Sequence, residues 1–204
     1  MPGTHGTPEF IADLAADIYQ MHTPNYREGI RMEMDKFTCC GNTRLNWLKK
    51  GAKMLEPLLE LLKMKLLKVG SFLNIDETWC RIRIKIKGDG TKLGHYFKKY
   101  IWILINKIEQ VAYFLYDNDG RYTIDNLPAE RAIRPFTVSR KNSLHYSSEE
   151  GVEMAMIYLT IIETAKMWGL QVKEYLSYVW REVMSGRSAL PLVPEVSRIL
   201  TTSQ

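Results

Sequence analysis

Apolar residues recur at helical spacing through the first third of the chain. Helix-start signals stand at Thr7-Pro8 and Thr23-Pro24, and Gly41-Asn42-Thr43 breaks the chain before a third helix. The third helix carries a stripe of Leu45, Leu48, Ala52, Leu55, Leu59, Leu62 and Leu66, with Pro57 as a predicted kink. Residues 1–70 are therefore predicted to form an N-terminal helical module.

At Gly70 the spacing changes to the alternation of a β-strand. Residues 71–76 are predicted as a strand, and residues 81–87 alternate between basic and apolar side chains, which gives one basic and one apolar face. After a Gly88-Asp89-Gly90 turn, residues 100–105 and 111–116 predict two further strands, joined by a short link. The pattern predicts an antiparallel meander of three or so strands.

Helical spacing returns in the last third of the chain. Asp125-Asn126 caps a short predicted helix that ends before Pro135. Ser147-Ser148 opens a longer helix that stops at Gly169, and a partner helix around Tyr175 completes a predicted helical hairpin. The fold class is therefore α+β. We predict a helical module at 1–70, a sheet-containing core at 71–147, a C-terminal helical domain at 148–186 and a flexible tail at 187–204.

Charge is concentrated in the middle of the chain. The net charge of the 204 residues is +5, but residues 44–107 contain 15 basic and 5 acidic side chains. Clustered Lys and Arg gain affinity for nucleic acid by displacing counterions from phosphates. The alternative is a solvated basic surface with no partner.

Other features exclude several classes of protein. No apolar run approaches the roughly 18 residues of a membrane span, and the first 19 residues lack a signal-peptide pattern, so we expect a soluble, cytoplasmic protein without a membrane partner. Three cysteines and four scattered histidines fit neither a disulfide framework nor a zinc site. The cysteines are expected to be reduced thiols.

Two acidic residues, Asp76 and Glu130, are candidates for a functional site. Asp76 follows Phe72–Ile75, which is apolar except for Asn74, and a carboxylate on a rigid strand can hold a metal ion in a fixed place. The alternative for Asp76 is a strand-end acid in a turn or an ion pair. Glu130 lies in the short predicted helix, where the alternative is a surface pair with Arg134.

The amino-acid sequence around these acidic residues resembles that of a known family. Four ordered stretches resemble successive motifs of insertion-sequence-66-type transposases. They are Pro2–Glu9, Pro24–Arg27, Ile75–Thr78, and Ile124–Pro135 with the following Ser139–Asn142. The stretch from Tyr158 to Lys166 looks like the family's C-terminal domain. The resemblance covers the chain up to about Gly186, and four motifs in order are far more specific than any one of them.

The resemblance implies a ribonuclease-H-like core at 71–147. In that family three carboxylates, Asp, Asp and Glu, hold two magnesium ions for attack on DNA phosphodiesters. Asp76 matches the first Asp and Glu130 matches the Glu, so Mg²⁺ is the implied cofactor. The implied partners are double-stranded DNA at the element ends, and a second copy or a full-length transposase. The candidate phosphate contacts are Arg81, Arg83, Lys85, Arg131, Arg134, Arg140 and Lys141.

The chain departs from the family at the middle carboxylate. Only residues 117–124 separate the third predicted strand from the Asp125-Asn126 cap, where the family has a long stretch that includes a strand with the middle Asp. We therefore predict a truncated core with an internal deletion and a defective copy of the enzyme. One alternative is a non-catalytic remnant that binds DNA or pairs subunits. Another is a poorly folded relic, because a sheet that lacks a neighbour leaves exposed edges.

Overall fold

The computed structural model describes residues 6–70, 72–84, 94–117 and 146–186. These residues form an α+β fold, which confirms the predicted class, with five α-helices, a short π-helix and a three-stranded antiparallel sheet. The elements are α1 (Pro8–Ala15), the π-helix (Ala16–Gln20), α2 (Asn25–Met34), α3 (Gly41–Leu66), β1 (Leu73–Ile84), β2 (His95–Asn106), β3 (Val111–Asp117), α4 (Glu149–Met167) and α5 (Val172–Met184). The short helix predicted after Asp125 and the predicted tail lie outside the described residues.

The helix-start signals of the sequence act as predicted at two helices. The Thr7 hydroxyl accepts a hydrogen bond from the Phe10 N–H at 3.2 Å, and Pro8 occupies the first turn of α1. The Ser148 hydroxyl accepts one from the Gly151 N–H at 3.1 Å at the start of α4. Gly169 follows α4 with a φ of 73°, a left-handed conformation that favours glycine and ends the helix.

The long helix α3 buries most of its predicted stripe. Leu48, Leu55 and Leu62 are completely buried, whereas Leu45 is 39% exposed. Leu58 is buried although the stripe was predicted to pass through Leu59, which is half-buried. Both positions fit helical spacing from Leu55, and tertiary packing decides between them.

Arg44 connects the starts of α2 and α3. Its buried guanidinium donates hydrogen bonds to the Asn25 side-chain oxygen at 2.9 Å, to the Asn25 carbonyl at 2.8 Å and to the Cys39 carbonyl. The Asn25 amide in turn donates to the Gly41 carbonyl at 3.3 Å. The second of the four sequence motifs therefore has a structural role in this helical module.

The first two predicted strand segments form one strand. β1 runs without interruption from Leu73 to Ile84, because Thr78, Trp79 and Cys80 continue the extended backbone between the two segments. The sheet order is β1-β2-β3, and both pairs are antiparallel. The predicted meander is thereby confirmed for the described residues.

Helix α4 covers the outer edge of β3. The Thr160 hydroxyl accepts a hydrogen bond from the Phe114 N–H at 2.9 Å, and the Thr164 hydroxyl accepts one from the Ala112 N–H at 3.1 Å. Thr164 also donates to the Ala112 carbonyl at 2.9 Å. Edge strands expose backbone groups that invite aggregation, and these two buried threonines satisfy three such groups, on Ala112 and Phe114.

The hydrogen bonds and ion pairs of α5 connect it to the N-terminal helices. Arg181 pairs with Glu9 of α1 at 2.7 Å, and Lys173 pairs with Asp13 at 3.0 Å. The indole N–H of Trp180 donates to the Gly51 carbonyl of α3 at 3.1 Å. The predicted hairpin of α5 with the preceding helix stays a prediction, whereas these contacts show that α1 and α3 are neighbours of α5.

One hydrophobic core joins the helices to the sheet. It includes Ile11 of α1, Leu55 of α3, Ile103 of β2 and Ile162 of α4, all completely buried. The division of the chain into a module at 1–70, a core at 71–147 and a helical domain at 148–186 stays a prediction. None of the described helices is long and apolar enough to cross a membrane.

Candidate active site

Asp76 lies within β1 rather than at its end. It is half-buried, and its antiparallel partner on β2 is the completely buried Ile103. Because side chains alternate along a strand, Asp76 shares a face of the sheet with the buried Cys80 and Ile82. The carboxylate is therefore presented from the apolar face of a strand in fixed register, as a positioned ligand requires.

The Asp76 carboxylate has one local hydrogen bond. Its Oδ1 atom accepts from the Glu77 N–H at 2.7 Å. The described residues supply no hydrogen bond to Oδ2. An oxygen of this kind, on a half-buried strand, can coordinate a hard divalent cation such as Mg²⁺.

The edge of β1 that faces away from β2 is paired at one end. Tyr146 forms a parallel bridge with Ile82: the Arg83 N–H donates to the Tyr146 carbonyl, and the Tyr146 N–H donates to the Arg81 carbonyl, both at 2.9 Å. Among residues 6–70, 72–84, 94–117 and 146–186, no other strand pairs with this edge. The backbone beside Asp76 is thus an edge within the described part of the chain.

Most of the other predicted site residues are outside the described residues. These are Glu130, Lys85, Arg131, Arg134, Arg140 and Lys141. The pairing of Asp76 with Glu130 stays a prediction. Within the described ranges, no cluster of three or more His, Cys, Asp or Glu side chains could hold a metal ion.

Arg81 and Arg83 occupy the face of the sheet opposite to Asp76. Alternation along β1 separates them from Asp76, and Arg81 is exposed while Arg83 is half-buried. The basic strand face that the sequence predicted is therefore present in its described part. A single phosphate bound against Asp76 on one face would not also contact these arginines on the other.

Sequence reasoning missed the aromatic side chains beside these arginines. The Arg81 guanidinium lies 5.8 Å from the centre of the Trp79 ring, and the Lys98 ammonium lies 5.7 Å from it on the neighbouring strand. Lys98 is also 5.3 Å from the Tyr100 ring. The missing signal was the β1–β2 register, which pairs Trp79 with Tyr100 and Arg81 with Lys98.

Glu77 is a second acid on this opposite face. Its Oε2 atom is buried, and the described residues donate no hydrogen bond to it. Its register partner is Trp102, which is 6% exposed.

Comparison with known proteins gives the family. The chain matches the model of the transposase IS66 family over residues 3–119 and 89–154, which together span about three quarters of its length. A 68-residue stretch is 41% identical to the uncharacterized protein y4qI of Sinorhizobium fredii (strain NBRC 101917 / NGR234), and a 76-residue stretch is 33% identical to the uncharacterized protein y4hP of the same strain.

The curated relatives are much longer than the part that matches. The stretches cover 33% and 37% of this chain, respectively, but 13% of each relative. No solved structure matches the chain. The family match spans Asp76 and both arginines on β1, and by this match the chain belongs to the IS66 family of transposases.

Proposed function

We propose that this protein acts on the DNA of an insertion sequence as a defective transposase, which binds DNA but cleaves it far more slowly than a transposase with three carboxylates. The observation that carries the proposal is the position of Asp76. It combines a motif of the family with a half-buried place on a strand of fixed register.

The carboxylate chemistry suits a divalent metal ion. Asp76 and Glu130 would hold Mg²⁺ through carboxylate oxygens, which this ion prefers. When bound, Mg²⁺ would supply Lewis-acid activation of a phosphodiester and of the attacking oxygen. The chain's own contribution is to fix Asp76 by the β1–β2 pairing and to surround it with apolar side chains such as Ile103.

The reduced activity follows from the proposed deletion. Residues 117–124 stand where, by the resemblance, the family has the strand with the middle Asp. The edge of β1 beside Asp76 is where we expect that strand to pair in a complete relative. With two ligands in place of three, the site would hold its metal ions weakly.

A cleavage assay tests the proposal. Purified protein is incubated with DNA of the element ends and Mg²⁺ or Mn²⁺, and nicked products are measured. We expect slow nicking that disappears in Asp76→Ala and in Glu130→Ala. Glu77→Gln is the matched control, because it changes the adjacent carboxylate on the opposite face. Nicking that persists in both alanine variants would overturn the assignment of the site.

A second candidate is a protein that binds DNA, or pairs transposase subunits, without catalysis. It is favoured by the excess of 10 positive charges in residues 44–107 and by the exposed Arg81. DNA binding that weakens steeply with salt, with no nicking in either metal, would support it. Failure to bind any DNA at low salt would exclude the defective transposase and the DNA-binding form of this second candidate.

A further inference from the structure

Aromatic and basic side chains alternate across one face of the β1–β2 pair. The register places Trp79 opposite Tyr100, Arg81 opposite Lys98, and Arg83 opposite Tyr96. Paired residues of an antiparallel sheet share a face, so all six point to the side away from Asp76. We call this set, Trp79, Arg81, Arg83, Tyr96, Lys98 and Tyr100, the aromatic-basic face.

The aromatic-basic face is accessible. Tyr96 is 57% exposed and Trp79 is 37% exposed, and Arg81 and Lys98 are exposed as well. The three rings are not part of the hydrophobic core that joins the helices to the sheet. Burial therefore does not explain why large aromatic side chains are placed there.

The cations lie beside the rings. Arg81 and Lys98 both lie within 6 Å of the centre of the Trp79 ring, and Lys98 is also close to Tyr100. Within the described lengths of β1 and β2, this face carries three cations and one acid, Glu77. The local charge therefore complements a polyanion that also has flat rings to stack.

We propose that the aromatic-basic face binds unpaired nucleotides of DNA. The bases stack on Trp79, Tyr96 and Tyr100, and the phosphates pair with Arg81, Arg83 and Lys98. Base pairs within a duplex offer only their edges in the grooves, whereas an unpaired base offers its whole ring to an aromatic side chain. The proposal rests on the proposed function for the choice of DNA, and it adds a surface on the side of the sheet opposite to Asp76.

Oligonucleotides that differ only in their bases test the stacking. Binding of a fluorescein-labelled oligothymidylate of about 12 nucleotides, within the usual site sizes of single-strand-binding surfaces, is measured in EDTA. An abasic oligomer of equal length has the same phosphates without rings. We expect the abasic oligomer and a duplex of equal length to bind at least about fivefold more weakly. Equal affinity for the abasic oligomer would overturn the proposal.

Substitutions locate the contact. Trp79→Ala and Tyr96→Ala are each expected to weaken oligothymidylate binding by about fivefold or more, whereas Trp79→Phe keeps most of it. Tyr26→Ala is the matched control, because Tyr26 on α2 is 77% exposed and lies outside the face. Undiminished binding by an alanine variant with the thermal midpoint of the wild type would contradict the proposal.

Charge variants and a competitor complete the test. Arg81→Gln and Lys98→Gln should each reduce the slope of log affinity against log salt by about 0.7, the value for one phosphate of a single strand. An acidic peptide that competes as well as oligothymidylate would show a general polyanion surface and overturn base stacking. Because the assay contains no metal, it measures oligothymidylate binding independently of the carboxylate site, so failure here is distinguishable from failure of the proposed cleavage.

Discussion

Thr164 of α4 offers the sharpest test of how the helices protect the sheet. Its completely buried hydroxyl accepts from the Ala112 N–H at 3.1 Å and donates to the Ala112 carbonyl at 2.9 Å. Thr164→Val keeps the shape of the side chain but removes the hydroxyl. Both polar groups of Ala112 would then be buried on the outer edge of β3 without these partners.

The expected cost follows from the number of hydrogen bonds lost. A buried polar group left without a partner costs about 1–3 kcal/mol, so the loss of both partners in Thr164→Val should lower the free energy of unfolding by about 2–6 kcal/mol. Thr160→Val loses one bond, from the Phe114 N–H, and should cost about 1–3 kcal/mol. Thr164→Ser keeps the hydroxyl and should cost about 1 kcal/mol for the lost methyl group.

Guanidinium denaturation followed by circular dichroism measures these differences. We expect Thr164→Val to be the least stable of the three variants, followed by Thr160→Val and then Thr164→Ser. If Thr164→Val unfolds at the same denaturant concentration as Thr164→Ser, the hydroxyl does not secure the edge of β3 and the reasoning is refuted.

Two further predictions concern the helical layer. Gly51→Ala should destabilise the protein by about 1–3 kcal/mol in a thermal melt, despite the helix preference of alanine. Its Cβ would lie 2.7 Å from the Tyr158 hydroxyl and 3.0 Å from the Trp180 ring, and a stability equal to that of the wild type would contradict this close packing. Burial lowers the pKa of His22, with Lys166 adding to the effect, so the unfolded chain takes up a proton at a higher pH than the folded one. Stability should therefore fall as pH drops through the ordinary histidine range and below, and a thermal midpoint equally pH-dependent in His22→Asn would exclude His22 as the cause.

Helix ends and strand faces could be predicted where they depend on residues that are close in the sequence. The cap at Thr7 and the glycine at 169 defined α1 and α4, because cap geometry involves only a few residues in sequence. Alternation around Ile82 likewise predicted the two faces of β1. The π-helix at residues 16–20 carried no such signal and was missed.

Features that depend on distant contacts could not be predicted. The aromatic-basic face needs the β1–β2 register, which connects Trp79 to Tyr100 across the hairpin. The closure of β3 by Thr160 and Thr164 needs the position of α4 against the sheet. For the candidate site, the sequence predicted the strand of Asp76 but placed the residue at its end, because the continuation through Trp79 was not recognised.

The central claim is that Asp76 and Glu130 bind the same divalent ion. Titration of Mn²⁺ into the protein, followed by electron paramagnetic resonance, measures that binding directly. We predict that Asp76→Asn and Glu130→Gln each weaken Mn²⁺ binding, that the double variant is little worse than either one, and that Glu77→Gln binds as the wild type does. Undiminished Mn²⁺ binding in both single variants, or an equal loss in Glu77→Gln, would contradict the claim.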